Sequence, residues 1–172
     1  MPLVIKNRQV TEDRWQQLAT DAGLQDALRY AQPIVPFVLW QAHRKELAGI
    51  RPLGVWLDAD TLVERIVDDL QHFALVALDF PKFTDGRHFS SARLLRERHG
   101  YRGEIRATGD VFHDQLLPMS RCGFDAFVLR SDCDPYDALR ALDEFSDQYQ
   151  ASVTNPLPLF RRRTQEQARQ AG

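Results

Sequence analysis

The chain is poor in cysteine, with two in 172 residues. Cys122 and Cys133 are too few for a disulfide framework, and an iron–sulfur cluster needs about four thiolates. Such scarcity is typical of a reducing compartment, so we expect a cytoplasmic protein.

Several other features are missing. No apolar run approaches the roughly 20 residues that span a bilayer, and the first residues lack the apolar core of a signal peptide. The net charge is −2, without the basic excess that a broad nucleic-acid surface needs. The histidines have no second His or Cys at metal-ligand spacing, and neither Gly-x-Gly-x-x-Gly nor a Walker pattern occurs. We therefore expect no membrane or nucleic-acid partner, no metal and no evident cofactor.

What is present is a rhythm of short apolar runs and amphipathic stretches. Continuous apolar strands that alternate with helices are typical of a parallel sheet covered by helices. We predict a single α/β domain of about four βα units, with a mostly parallel open or half-barrel-like sheet flanked by helices. The four predicted strands are 53–57, 74–78, 104–108 and 124–129. The helices between and after them are predicted to begin at Asp58 or Asp60, at Ser90 or Ser91, after Gly109-Asp110, and at Asp134.

The predicted boundaries are 1–32 for an N-terminal strand and helix extension, 33–150 for the α/β domain and 151–172 for a polar tail. The extension contains a strand at Leu3–Lys6 and a helix over 12–22 that Gly23 ends. A half-barrel leaves two sheet edges open, and such edges favour pairing, so a homodimer is a further expectation.

Three details of the pattern carry local predictions. The alternation in 104–108 predicts a strand with one exposed face, and Pro118 predicts a kink or an early helix end. The stripe of Ala138, Leu142, Phe145 and Tyr149 predicts the core face of the last helix.

The candidate functional site is the long charged loop after the second predicted strand, 80–89. Ligands of parallel α/β sheets collect at the carboxyl ends of strands. Lys82 and Arg87 are candidates to bind an anion, Asp85-Gly86 is a turn signal, and Ser90 is an expected start of a helix that offers N–H groups.

Neighbouring strand ends add further candidates. Arg106 and Arg130 would join the cationic set, and Asp79 and Asp110 would act as acid and base or hold the cations in place. The plainer alternative is that the charges form solvated surface ion pairs worth less than about 1 kcal/mol each and that the aspartates cap helices.

A run of linked motifs resembles the bacterial domain of unknown function 934 family over about 33–150. The motifs are LDFPKFTDGR (78–87), SARLLRER (91–98), YRGEIRA (101–107), GDV (109–111), DQ (114–115) and RCGFDAF (121–127), with IVP (34–36) and LGVWL (53–57) before them. Members of that family are commonly labelled oxidoreductases of sulfite reduction. The resemblance implies an uncharacterised bacterial family and a role beside the genes of sulfate and sulfite assimilation, and carries no catalytic residues across.

Two functions follow as hypotheses. The first is an accessory protein of assimilatory sulfate or sulfite reduction that binds an anionic intermediate or a reductase partner. Six-electron sulfite reduction needs a sirohaem and an iron–sulfur cluster, so two cysteines argue against a terminal sulfite reductase. The alternative is a small anion- or phosphate-binding enzyme with a barrel-like active site at the strand ends.

Overall fold

A computed structural model describes residues 2–143 and residue 153 of the chain. Its eight strands are β1 (Leu3–Lys6), β2 (Gln9–Glu12), β3 (Gln16–Gln17), β4 (Pro33–Pro36), β5 (Gly54–Leu57), β6 (Leu75–Phe80), β7 (Glu104–Gly109) and β8 (Ala126–Phe127). They form one sheet in the order β2-β1-β8-β7-β6-β5-β4-β3. From β3 to β8 every neighbouring pair is parallel, whereas β1 is antiparallel to both β2 and β8.

Helical segments connect the parallel strands. The α-helices are α1 (Leu24–Arg29), α2 (Phe37–Ala42), α3 (Arg44–Leu47), α4 (Arg87–Arg93), α5 (Leu116–Cys122) and α6 (Pro135–Asp143). A 3₁₀ helix, Val63–His72, joins β5 to β6, a π-helical turn, Leu94–Arg98, continues α4, and a 3₁₀ turn, His113–Gln115, precedes α5.

The strand order explains why the sheet curls. Strands β3 to β8 lie side by side in chain order, and right-handed crossovers then place all the connecting helices on the same face. A doubly wound sheet would need the order to reverse at some strand, and it does not. The result is a curled mixed sheet that forms a half-barrel with helices outside, and the predicted α/β half-barrel fold is confirmed.

The main core lies between the sheet and the helices. Register places Val55 beside Val76, and Val76 beside Ile105, so one apolar row crosses β5, β6 and β7. These side chains are buried and pack with residues from the helices, among them Trp40 and Leu95. Burial of this kind contributes about 25 cal/mol per Å² of apolar area and drives the helices onto the sheet.

The concave face of the sheet has a smaller core of its own. Ile34, Leu75 and Ala77 are buried there, and the partly buried Trp15 and Trp56 pack against them. Successive strand residues point to opposite faces, and each face carries a core. The strands are therefore buried on both sides, which explains their continuous apolar runs.

Four charged residues form a concave ion cluster on the same face: Lys6, Asp13, Glu104 and Arg106. Arg106 is only 2% exposed. Its Nε donates to Glu104 Oε1 at 2.7 Å, and its Nη1 donates to Asp13 Oδ2 at 2.8 Å. Lys6 Nζ lies 2.7 Å from Glu104 Oε2. Two cations and two carboxylates balance, and the cluster joins β1 and β7 to the segment between β2 and β3.

The predicted helix over 12–22 is wrong. Residues 9–12 pair with β1 as β2, residues 16–17 pair with β4 as β3, and Gly23 precedes α1 instead of ending a helix. Tertiary contacts override the helical spacing, because Asp13 bonds Arg106 and Trp15 packs on the concave core. The strand at Leu3–Lys6 is confirmed, and Asn7 and Arg8 turn the hairpin with positive φ.

The exposed face predicted for 104–108 is also wrong. Glu104, Arg106 and Thr108 are buried on the concave face, since ion pairing makes burial of the charged members tolerable. Pro118 lies in the first turn of α5, where its missing N–H is not needed, so the helix continues to Cys122. Gly123 ends α5 at a left-handed φ of 111°.

The C-terminal predictions are tested only in part. Helix α6 begins after Asp134 as expected, and the backbone N–H of Tyr136 donates to Asp134 Oδ1 at 2.8 Å. Ala138 and Leu142 are buried as predicted. Phe145, Tyr149 and, apart from residue 153, the tail 151–172 lie outside the described residues.

Two further observations concern the surroundings of the fold. Within the described residues, no helix combines the length and the apolar character needed to cross a membrane. Among the described residues, the outer edges of β2 and β3 have no strand partner. Open edges are what the expected homodimer would use, and the homodimer stays a prediction.

Removing the buried guanidinium should cost more stability than removing an exposed one. Arg106→Ala leaves Asp13 without its cation and Glu104 with Lys6 alone, and breaking a buried pair costs about 3–5 kcal/mol. Arg93, whose side chain is 58% exposed in its pair with Glu97, is the matched control, and Arg93→Ala should lose little stability because exposed ion pairs contribute little. Urea unfolding of both variants measures the difference, and equal losses would contradict a structural role of the cluster.

Candidate functional site

The strand-end face is the surface at the carboxyl ends of β5 to β8. We define it as residues 58–62, 79–88, 108–114 and 128–134. In parallel α/β sheets and barrels, loops and helix starts converge at this end, which makes it the usual place for ligands. All site residues predicted from the sequence lie here except Ser90 and Arg106.

Asp79 lies at the end of β6 on the concave side, beside Thr108 of β7 in the strand register. Burial raises the pKa of its carboxyl above the ordinary value, while the nearby Trp56 indole and Thr108 hydroxyl act in the opposite direction. The Trp56 Nε1 is buried and has no partner of normal hydrogen-bond geometry among the described residues. Asp79 thus has no paired cation among residues 2–143, and solvent reaches its polar surroundings only in part.

Gly109 makes room for this carboxyl. Its φ is +93°, and a Cβ on it would lie 2.5 Å from the Phe80 carbonyl oxygen and 2.9 Å from Asp79 Oδ1. Both approaches are closer than non-bonded atoms tolerate. A side chain at position 109 would therefore displace the end of β6.

Asp58 and His88 tie the ends of β5 and α4 together. Asp58 Oδ1 accepts hydrogen bonds from the backbone N–H groups of Asp60 and Thr61 at 3.1 and 2.7 Å. The Asp58 carbonyl oxygen lies 3.0 Å from His88 Nε2, so Nε2 is the protonated nitrogen, and Nδ1 accepts from the Ser91 hydroxyl. Burial lowers the pKa of His88, which is consistent with a neutral structural imidazole.

Arg87 is held by two carboxylates. Its Nε donates to Asp85 Oδ1 at 3.0 Å, and its Nη1 contacts Asp60 across the face. Hydrogen bonds from Arg87 lower the pKa of Asp85 to about 2. Helix α4 begins at Arg87 after Gly86, so the predicted start at Ser90 or Ser91 is wrong, and Ser90 lies inside the helix. The loop is therefore shorter than predicted, because Asp85 accepts from the Arg87 backbone and begins the helix early.

Arg130 repeats the arrangement on the other side of the face. Its Nη1 donates to Asp110 Oδ1 at 2.9 Å, and its Nη2 donates to Asp132 Oδ2 at 2.7 Å. The hydrogen bonds that Arg130 donates to Asp132 and Asp110 raise its pKa further above the already high ordinary value. The guanidinium also lies over the Phe112 ring, 4.3 Å from its centroid.

The predicted cationic set is therefore not assembled around one point. Arg87 and Arg130 are each bound to two carboxylates, and Arg106 lies in the concave ion cluster. Lys82 is exposed and makes no ion pair in the described structure. The strand-end face carries eight aspartates against three cations, so its charge is acidic. The aspartates are Asp58, Asp60, Asp79, Asp85, Asp110, Asp114, Asp132 and Asp134, and the cations are Lys82, Arg87 and Arg130.

Sequence reasoning missed the aromatic part of the site. Phe83 and Phe112 pack edge to face, with ring centroids 5.4 Å apart. Together with Asp110, Asp114 and Arg130 they line an open cavity of about 340 Å³, which we call the Phe83 cavity. Phe112 is in line with Leu116 and Met119 at helical spacing, a pattern that does not distinguish it from a core residue. The available signal was Phe83 itself, an apolar residue between Lys82 and Thr84.

The residues present do not fit the iron–sulfur cluster of sulfite reduction. Cys122 and Cys133 are free and half-buried, and burial is the largest cause that raises the pKa of each thiol. Two thiols cannot ligate an iron–sulfur cluster that needs about four. Among residues 2–143, no group of three or more His, Cys, Asp or Glu side chains is arranged to hold a metal ion.

Comparison with known proteins gives one family. The sequence model of a family described as "Bacterial protein of unknown function (DUF934)" matches residues 54–160, more than half of the chain. The matched segment includes β5 to β8 and the whole strand-end face. A search of curated proteins finds no match.

The close approach at Gly109 predicts a specific loss of stability. Gly109→Ala places a Cβ against the Phe80 carbonyl at a positive φ, so we expect a loss of about 1–3 kcal/mol in the free energy of unfolding. Gly86→Ala is the control, since no atom lies within 4 Å of its Cβ position; its expected change is within about 0.5 kcal/mol. Thermal unfolding of the two variants measures this difference. A Gly109→Ala variant as stable as the wild type would contradict the steric role of Gly109.

Proposed function

We propose that this chain, which belongs to the bacterial protein family of unknown function DUF934, is a cytoplasmic accessory protein of assimilatory sulfate or sulfite reduction. In this proposal the protein acts by binding a reductase partner. The motifs that resemble the family carry the link to sulfite reduction. The charges of the strand-end face favour a protein partner over a small anion.

One observation carries the choice between these two ligands. The arginines expected to clamp an anion, Arg87 and Arg130, are each already bound to two carboxylates. An anion would have to displace those carboxylates, and it would approach a face with five more aspartates than cations. A protein partner needs no displacement, because a charged rim with apolar residues is the usual anatomy of an interface.

Exposed apolar side chains support the same interpretation. Val38, Leu62 and Phe83 follow the carboxyl ends of β4, β5 and β6, and each is 45% exposed or more. They lie at the same end of the half-barrel as the paired arginines. Single exposed apolar residues are ordinary, but three that follow successive strands suit a partner surface.

The accessory role predicts recovery of a sulfite reductase. An affinity-tagged chain, purified from its bacterium grown with sulfate as the sulfur source, should retain that enzyme through washing at low salt. Deletion of the gene should slow growth on sulfate, and cysteine should restore it. Cells grown on cysteine are the control. Unchanged growth of the deletion strain, with no reductase recovered, would refute the proposal.

A second candidate function is favoured by Asp79. A half-buried carboxyl with a raised pKa at a strand end is the group that general acid–base catalysis requires. Lys82, three residues further along the chain, makes no ion pair among the described residues and would be the cation for an anionic or phosphate-bearing substrate. In this alternative the protein is a small enzyme with a barrel-like active site, and Asp79 with Asp110 would supply the acid and the base.

Replacing Asp79 by asparagine tests whether burial disfavours its charged form. Asp79→Asn removes a carboxylate that burial disfavours, so the variant should be at least as stable as the wild type at pH 7. The stability difference should shrink as the pH falls through the raised pKa, where the wild-type carboxyl is protonated. Thermal unfolding from pH 7 to pH 4 measures this.

The enzyme alternative requires more than a stability change. Sulfite, sulfate, a sugar phosphate or a nucleotide should raise the melting temperature of the wild type, and Asp79→Asn or Lys82→Ala should abolish the rise. Lys45→Ala, another exposed lysine, is the control. If none of these compounds changes the melting temperature, the enzyme alternative is refuted.

A further inference from the structure

We propose that the Phe83 cavity receives an apolar side chain from a lysine- or arginine-rich segment of a partner protein. The inference rests on the proposed function and deepens it, because it names the surface and the chemistry of the segment that binds there. It follows from the way Phe83 is held, from the walls of the cavity and from the charge around them.

Phe83 is an exposed aromatic residue in a fixed position. Its residue surface is 45% exposed. The Phe83 backbone N–H donates to Asp110 Oδ2 at 2.8 Å, and its carbonyl oxygen accepts from Gln115 Nε2 at 3.0 Å. Gln115 is itself buried. Two side chains from the segment after β7 thus hold one loop residue whose ring stays open to solvent, and an aromatic ordered before binding loses little entropy when a partner covers it.

The walls of the cavity are equally ordered. The Phe112 ring meets Phe83 at an interplanar angle of 90°. The Arg130 guanidinium lies over the Phe112 ring, and ion pairs with Asp110 and Asp132 keep it there. An open cavity of about 340 Å³ lined by both rings can accept one leucine, methionine or aromatic side chain. Such pockets are where single interface residues contribute most to affinity.

The charge around the cavity selects a basic segment. Asp114 lines the cavity with a side chain that is 64% exposed. Asp110 and Asp132 already neutralise Arg130, so the remaining carboxylates of the strand-end face dominate the field that a partner meets. Lysine and arginine beside the inserted side chain complement this field, and an acidic segment would be repelled.

Synthetic peptides test the chemistry of the segment directly. The probe is the capped peptide Lys-Arg-Leu-Trp-Arg-Lys, and the comparison peptide has Glu and Asp in place of the four basic residues. Isothermal titration calorimetry with the full chain at low salt should detect the basic peptide and not the acidic one. Binding of the basic peptide should weaken as salt rises from 50 to 300 mM, because salt screens exposed charges.

Matched variants locate the binding surface. Phe83→Ala should weaken binding of the basic peptide at least tenfold, whereas Tyr30→Ala should leave it unchanged. Tyr30 is also 45% exposed and precedes β4, at the opposite end of the strands. Asp114→Lys should weaken binding several-fold, and Glu46→Lys should not. Asp114 and Glu46 are both exposed carboxylates beside a histidine. Circular dichroism confirms that each variant is folded.

Three results would overturn the inference. The first is no binding of the basic peptide, or binding that Phe83→Ala does not change. The second is competition by inorganic sulfite or phosphate that depends on Arg130, which would make the cavity an anion site. The third is self-association that depends on Phe83 in sedimentation velocity, which would make the partner a second copy of the chain.

Failure of this inference is distinguishable from failure of the proposed function. If a sulfite reductase is recovered equally well with Phe83→Ala, the partner binds elsewhere and the accessory role stands. If no reductase is recovered but the basic peptide needs Phe83, the binding surface stands and the assignment to sulfite reduction falls.

Discussion

Arg106 lies on the concave face of the half-barrel with almost no contact to solvent, and a buried guanidinium must find its counter-charges inside the protein. Glu104, on the same strand, supplies one, and Asp13, from the segment between β2 and β3, supplies the other. That second contact brings the start of the chain across the concave face. The pairing of β1 with β8 and of β3 with β4 places residues on both sides of Asp13 in the same sheet. The course of the segment that contains Asp13 across the concave face is thus coupled to the charge balance of Arg106.

Charge balance also decides the character of the strand-end face. Arg87 and Arg130 come from different loops, and each contacts one carboxylate two residues away and a second from another strand end. These bridges hold the loops in place and remove the free guanidinium groups that a small anion would need. The same bridges leave the face acidic and keep its aromatic residues ordered. The arrangement therefore favours a protein surface over a phosphate or sulfite clamp.

Much of the fold was predictable, and the exceptions share a cause. The apolar runs of β5, β6 and β7 and the cap at Asp134 lie where the pattern predicts them, because local periodicity and capping reflect local physics. The helix predicted over 12–22 fails because Asp13 and Trp15 make contacts with β7 and the concave core. The exposed face predicted for 104–108 fails for a related reason, since alternating charged residues indicate solvent unless distant partners neutralise them.

For the candidate site, the sequence by itself determined the location. Asp79, Lys82, Asp85, Arg87, Asp110 and Arg130 all lie on the strand-end face, because residues after parallel strands meet at one edge of the sheet. Only the tertiary structure decided which charges pair. Arg106 is separated from Asp13 by 93 residues, and Phe83 is held by side chains 27 and 32 residues away. Periodicity reports which residues share an element and a face. It carries no information about partners that the chain brings together only after the sheet has curled.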